Sequence, residues 1–294
     1  MPAVHHETFR VRHYECDAYG HLNNINYLRW MQEAAFGASA AVGYDFARYD
    51  EIGYLWLVRE TDIEYLMPLA YNDDVDIKTW VMDFRRLRSR RAYEFTHIKT
   101  GQLAARASTD WAYVNAETLR PAMIPEDMKH AFFPEGPPKK AQVRERFPTP
   151  PPPPPNVFSI CRQVEWRDID AMWHVNNAMY LAYIEDVATH VTEAHGWPMQ
   201  RMTGAGFGII ARRHQIEYLQ PAKLGDELEI ATWYSDVRRI AATRYYTIKR
   251  AEDDELLARA QTLWVWVDVK TGKPIRIPEH FLDEFADNLA LAGA

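Results

Sequence analysis

Apolar side chains at Tyr27, Trp30, Met31, Ala34, Ala35, Ala38 and Ala41 recur at the three- and four-residue spacing of one helix face. Asn23 or Asn24 stands where a cap is needed, and Gly43 supplies the stop. Before this helix a short apolar strand around residues 9–12 runs into a polar turn. After it the pattern changes to that of strands: 57–66, then 75–81 in strict period-two alternation, then 91–99 and 103–114. One long helix with a wide apolar face, followed by antiparallel strands, predicts an α+β fold in which a curved antiparallel sheet wraps a central helix.

The whole pattern then returns. Asp17-Ala-Tyr-Gly-His21-Leu-Asn23-Asn24-Ile-Asn-Tyr27-Leu28 reappears 153 residues later as Asp170-Ala-Met-Trp-His174-Val-Asn176-Asn177-Ala-Met-Tyr180-Leu181. Ile63-Glu64-Tyr65-Leu66 falls on Ile216-Glu217-Tyr218-Leu219, Thr79-Trp80 on Thr232-Trp233, and Arg106-Ala107 on Arg259-Ala260. Roughly 30% of positions between Val11 and Pro125 match their partners without a gap, which marks an internal duplication. The second helix is expected at about 177–195, stopped by Gly196. Two tandem domains follow, 1–133 and 157–294, joined by a Pro-rich linker, 134–156. That linker contains Pro134-Glu-Gly-Pro-Pro-Lys-Lys and the run from Pro150 to Pro155, whose stiff polyproline II conformation suits a spacer.

Composition narrows the classes. An apolar share of 47% with 26% charged residues is that of a globular protein, and a net charge of −7 argues against a phosphate-tracking surface for nucleic acid. No run approaches the ~18 apolar residues of a membrane helix, and residues 1–12 carry no apolar signal core, so a cytoplasmic protein without a membrane partner is expected. Cys16 and Cys161 do not fall on equivalent repeat positions, which excludes a repeated disulfide and fits a reducing compartment. His5, His6, His13 and His21 have neither partner cysteines nor a helical i, i+4 pair, so no metal site is expected.

The chemistry concentrates in the repeated turn. A carboxylate just before a capped helix lies beside backbone N–H groups that lack internal acceptors and carry about half a positive charge between them. An acyl carbonyl held there would be polarised, and Asp17 or Asp170 could attack it or deprotonate water. Capping alone would also explain an aspartate in such a turn. The company it keeps in both copies, a His four residues on, paired Asn and then Tyr-Leu, favours chemistry.

Tyr14-Glu-Cys-Asp17-Ala-Tyr-Gly20-His21-Leu-Asn23-Asn24-Ile-Asn-Tyr27-Leu28, with Glu33 beyond, resembles the signature of the hot-dog-fold acyl-CoA thioesterases of the hydroxybenzoyl-CoA thioesterase group. Trp166-Arg-Asp-Ile-Asp170-Ala-Met-Trp-His174-Val-Asn176-Asn177 is similar to the second hot-dog of the acyl-ACP thioesterases, themselves double hot-dogs. The resemblance implies two tandem hot-dog domains forming a pseudo-dimer. It implies Asp17 as nucleophile or general base and the Asn24 backbone N–H as carbonyl-polarising donor, with Asp170 and Asn177 their counterparts and sites where two hot-dogs meet. It implies acyl-CoA as substrate and no cofactor besides the coenzyme A that the substrate carries. Trp173 in place of Gly20, Arg167 in place of Tyr14, and Met172 where the carrier-protein group has Asn depart from the pattern. They make Asp17 the stronger site and favour coenzyme A over a carrier protein.

His21 and His174 are candidates for orienting the carboxylate or bracing the turn. Tyr27 is a candidate for lining an acyl pocket, along with Trp30, Tyr54 and Trp56. Arg85, Arg86, Arg88, Arg90 and Arg91 are candidate phosphate anchors for coenzyme A, with Arg238, Arg239 and Arg244 as counterparts, because guanidinium binds phosphate bidentately. Arg59 and Arg212 are expected in buried ion pairs with a carboxylate such as Glu64 or Glu217. Cys16 invites a thiol mechanism but has no counterpart in the second copy. An acyl-CoA thioesterase is the leading expectation; an acyl-ACP thioesterase, a hot-dog hydratase or dehydratase and a non-catalytic acyl-CoA binder are the alternatives. A double hot-dog already contains the pairing of a dimer, which leaves open a monomer or a homodimer.

Overall fold

The computed structural model describes residues 1–138 and 146–290; Lys139 and Lys140 of the Pro-rich segment lie outside the described residues. The chain divides into two compact units, Met1–Arg146 and Phe147–Ala294.

The first unit runs β1 (Val4–Arg10), α1 (Asn24–Ala41), α2 (Phe46–Ile52), β2 (Tyr54–Tyr65), β3 (Asp74–Phe84), β4 (Arg88–His97), β5 (Gln102–Asn115) and α3 (Glu126–Phe132). Its strands pair in the order β1-β3-β4-β5-β2, each pair antiparallel. α1 lies against β1 and β3. It buries Tyr27, Trp30, Met31, Ala34, Ala35 and Ala38, the face that the spacing predicts, while Ala41 is exposed at its end. Gly43, at φ 86°, ends the helix as expected. β3 alternates buried and half-buried positions along its whole length, because successive side chains point to opposite faces.

The second unit repeats the plan with β6 (Phe158–Gln163), α4 (Asn177–Ala194), α5 (Met199–Gly204), β7 (Phe207–Tyr218), β8 (Glu227–Ser235), β9 (Ala241–Arg250), β10 (Leu256–Asp268) and α6 (Glu279–Glu284). The strand order is β6-β8-β9-β10-β7, again antiparallel throughout, with α4 against β8 and β6. Each unit is thus the expected α+β hot-dog, a helix laid on an antiparallel sheet. The short helices α2, α3, α5 and α6 are additions that the periodicity misses, since one or two turns hold too few positions to show a 3.6-residue repeat. α2 is set locally: the Asp45 carboxylate accepts the Arg48 N–H at 2.9 Å, and Gly53 turns left-handed after it.

Arg59 and Arg212 are half-buried and occupy equivalent places on their strands. The β2–β5 register skips from Val58 to Glu60, and the β10–β7 register skips from Arg213 to Ala211, so each arginine is the extra residue of a β-bulge. Glu64 and Glu217 pair with Arg106 and Arg259, both at 2.6 Å, from the adjoining strand. A cross-strand partner directly opposite in register is closer than one five residues away on the same strand.

A second layer of packing closes each unit. Tyr44, Val81, Tyr113, Met128, Phe132 and Phe133 form one cluster in the first unit; Trp197, Phe207, Tyr234, Trp266, Phe281 and Phe285 form its counterpart in the second. The Phe281 ring is fully buried and stacks on Phe285 at 4.5 Å. Phe281→Ala is therefore expected to remove about 3–5 kcal/mol of stability, read as a lower urea midpoint for the second unit; an unchanged midpoint would contradict this packing.

Candidate active site

Asp17 sits in a closed turn between β1 and α1. Its N–H donates to the His21 carbonyl at 2.8 Å and its carbonyl accepts the Gly20 N–H at 3.0 Å. The Asp17 Oδ1 accepts the N–H groups of Tyr19, at 2.9 Å, and His21, at 3.0 Å. One carboxylate oxygen is thereby fixed by backbone, an Asx turn of the usual kind, while Oδ2 accepts no bond among the described residues. Gly20 at φ 78° makes the left-handed corner, where only glycine is unstrained.

The turn ends on the helix. Asn23 caps α1, its side chain accepting the Ile25 N–H at 3.0 Å and its carbonyl accepting the Asn26 N–H at 3.0 Å. Of the two capping candidates, Asn23 is the cap and Asn24 heads the helix. Beneath, Leu22 donates its N–H to the Leu69 carbonyl at 2.7 Å and His21 bridges to Ala70, so the loop before β3 backs the turn.

The second copy rebuilds the frame and changes the rim. The Asp170 N–H meets the His174 carbonyl at 3.0 Å, Asp170 Oδ1 accepts the Met172 N–H at 2.9 Å, and Asn176 caps α4 through the Ala178 N–H at 3.0 Å. Val175 donates to the Ala222 carbonyl at 2.9 Å, the counterpart of the Leu22–Leu69 bond. Asn177 heads α4, and its carbonyl accepts the Tyr218 hydroxyl at 3.1 Å. Where Gly20 stood, Trp173 takes a left-handed φ of 62°, a conformation that costs an L-residue about 1 kcal/mol. Its indole is exposed and meets the exposed Trp166 edge-on at 6.0 Å.

The histidines separate. The His174 Nδ1 lies 3.5 Å from Asp170 Oδ1, whereas His21 is exposed and meets Asp17 through its backbone N–H and carbonyl. Tyr27 is buried against Tyr65, Phe95 and Trp30. Burial, with Asp17 and Asp73 close by, pushes its phenol up, so it is a neutral hydroxyl. Its counterpart Tyr180 is pushed up to about 12 by burial, and its oxygen accepts the Ala222 N–H at 3.0 Å. Both tyrosines thus serve the frame beneath the turn.

The arginine cluster splits as well. Arg85, Arg86 and Arg88 are exposed at the β3–β4 turn. Arg90 is drawn away by a two-bond ion pair with Asp110, at 2.9 and 3.1 Å. Arg91 is buried, bonded to the Thr79 hydroxyl at 3.3 Å and lying over the Phe132 ring; burial lowers its pKa. It is a core residue with an exact repeat partner, Arg244, bonded to Thr232 and set against Tyr234 and Phe285. Strand alternation explains the correction: once the turn ends at Arg88, successive side chains alternate between faces, and Arg91 falls inward.

The comparisons with known proteins agree with this frame. A profile described as the thioesterase-like superfamily matches residues 11–132 and again 164–285. The chain belongs to that superfamily. The matched stretches start and end 153 residues apart, the interval of the repeat. Among curated relatives, the palmitoyl-acyl carrier protein thioesterase of Cuphea hookeriana is 24% identical over 190 residues, 62% of this chain and 46% of that protein. The acyl-CoA thioester hydrolase YbgC of Escherichia coli is 32% identical over 123 residues, 42% of this chain and 91% of that protein. The chain spans about half the length of the plant relatives it matches. The 12:0-ACP thioesterase from Umbellularia californica superposes with a TM-score of 0.70 at 18% identity, covering 92% of this chain and 94% of that one, which speaks to the double fold. No helix among the described residues is long and apolar enough to cross a membrane.

Cys16, one residue before Asp17, is half-buried; burial, then the charges of Asp17 and Glu15, push its thiol up, away from the thiolate a nucleophile needs. Cys161 is exposed. At pH 8, iodoacetamide is expected to label Cys161 well ahead of Cys16, followed by peptide mass mapping, and faster labelling of Cys16 would contradict this environment.

Proposed function

We propose that this chain hydrolyses acyl-CoA thioesters, with Asp17 as the reactive carboxylate. The observation that carries the reading is the pairing, in a member of the thioesterase-like superfamily, of a backbone-fixed aspartate with the capped start of α1. The thioester carbonyl oxygen lies at the first turn of α1, where the Asn24 N–H receives the negative charge that develops as the carbonyl becomes tetrahedral. The Asp17 Oδ2 either takes a proton from the attacking water or attacks first to give a mixed anhydride that water opens. In both routes the C–S bond breaks, the electron pair leaves with the thiolate of coenzyme A, and the acid is released. Donors aimed at such an oxyanion are worth about 3–4 kcal/mol each.

Coenzyme A is favoured over a carrier protein on two grounds: Met172 replaces the asparagine of the carrier-protein group, and Arg85, Arg86 and Arg88 offer exposed guanidinium groups to its phosphates. The relatives include proteins named for each carrier, so the assay carries both arms. Thiol release is followed with acetyl-, octanoyl-, palmitoyl- and benzoyl-CoA, and with the same acyl groups on a carrier protein.

Asp17→Asn is expected to lower kcat on the fastest acyl-CoA by about 10²–10⁴-fold, and Asp170→Asn by less, because Trp173 replaces Gly20 and Arg167 replaces Tyr14 at the second turn. Wild-type turnover by the Asp17→Asn variant overturns the assignment. Faster cleavage of the carrier-protein thioesters reverses the choice of carrier.

A further inference from the structure

Two residues before each aspartate lies a buried acid, Glu15 in the first unit and Asp168 in the second, 6% and 0% exposed. Burying a carboxylate costs several kcal/mol unless its partners compensate, so its recurrence at one repeat position requires a cause. Glu15 Oε2 accepts the Arg12 N–H at 2.8 Å, closing the one-turn helix His13–Glu15. Its Oε1 accepts the Trp30 indole N–H at 3.3 Å, from the second turn of α1. The carbonyl of the same residue accepts the Asn23 N–H at 2.9 Å and the Asn26 side-chain amide at 3.0 Å. One residue thus joins the approach from β1, the helix cap and the helix body, and Asp17 follows after Cys16 alone.

The second unit keeps the device with different lengths. Asp168 Oδ2 accepts the Glu165 N–H at 3.0 Å and its carbonyl accepts the Asn176 N–H at 2.9 Å. The counterpart of Trp30 is Tyr183. Its hydroxyl and Asp168 Oδ1 are both buried and neither has a hydrogen-bond partner, while the Asp168 carboxylate, after burial itself, raises the Tyr183 phenol. The shorter acid thus recurs together with a longer-reaching hydroxyl at the repeat position of Trp30.

We propose that Glu15 is a positioning residue for Asp17: strung between the Arg12 amide and the Trp30 indole, its carboxylate sets the distance from the Asp17 carboxylate to the first amides of α1. The proposal rests on the reading of Asp17 as the reactive group. Rates fall steeply when a reacting group is displaced by an ångström, so a spacer of this kind acts on turnover more than on substrate binding.

Glu15→Gln keeps the shape but presents a donor nitrogen to one of two N–H groups. With the acyl-CoA cleaved fastest in the panel above, kcat is expected to fall about 10- to 100-fold, with KM within threefold and the far-UV circular dichroism of the wild type at the assay temperature. Glu15→Asp alone is expected to lower kcat likewise. Adding Trp30→Tyr, which transplants the residue combination of the second unit, is expected to recover at least tenfold of that loss. A purely structural acid predicts a lower melting temperature with unchanged kcat per folded molecule, and that result overturns the proposal. So does a folded double variant no faster than Glu15→Asp, which remains decisive if Glu15→Gln does not fold. If Asp17→Asn abolishes hydrolysis while Glu15→Gln turns over normally, the positioning role alone fails; if Asp17→Asn turns over normally, the reading of the site fails first.

Discussion

In both units the candidate carboxylate owes its place to one backbone clamp: the amide of the cap asparagine bonds to the carbonyl two residues before the aspartate, Asn23 to Glu15 and Asn176 to Asp168, each at 2.9 Å. That bond brings the turn back onto the helix start. It also consumes the cap residue's own N–H, which a buried helix end would otherwise leave without an acceptor. The cap side chain then satisfies the second helical amide and the cap carbonyl the third. Upstream of this clamp stands a carboxylate whose Oδ1 is already held by turn amides. The turn that holds the aspartate is thus built largely by backbone, and side chains around it are free to vary.

The two units use that freedom differently. Around Asp17 the corner is glycine and His21 is exposed; around Asp170 the corner is Trp173 and His174 lies against the carboxylate. Holding a tryptophan in the left-handed region is unfavourable for stability, and its indole gains little by burial because it is 70% exposed. Stability therefore does not account for Trp173. The same backbone frame thus carries a glycine at the corner in one unit and an exposed tryptophan in the other.

Much of this architecture could be read from the chain because it depends on local periodicity. The buried face of α1 follows from the spacing of Tyr27 to Ala38, and the duplication follows from an ungapped match. What escaped depends on geometry across strands. Arg90 and Arg91 sit next to Arg88 in sequence, yet pairing with β5 gives Arg90 to Asp110, and alternation turns Arg91 into the core. Glu64 and Glu217 find their arginines across the sheet, which no spacing along one strand reveals. Glu15 was missed for a subtler reason: its counterpart is Asp168, so a comparison of identities scores the position as lost, although both carry a buried acid. A chemical comparison of the copies, acid with acid and N–H donor with hydroxyl donor, would have found it.

Duplication also separates the needs of the fold from those of the reaction, because an identical pair need not do the same work. Tyr27 and Tyr180 are identical and both buried under the turn, so their identity reflects packing. His21 and His174 are identical, yet one meets the aspartate through backbone groups and the other also through its ring. The role shared by both histidines is the backbone bond between the carbonyl of the histidine and the N–H of the aspartate, at 2.8 and 3.0 Å, which any residue could supply. The constraint on the imidazole itself must therefore come from something the backbone does not provide, and in the second unit the ring already borders the carboxylate. The repeated aspartate, by contrast, holds its carboxylate on turn amides in both units, and in the first its second oxygen accepts no bond among the described residues.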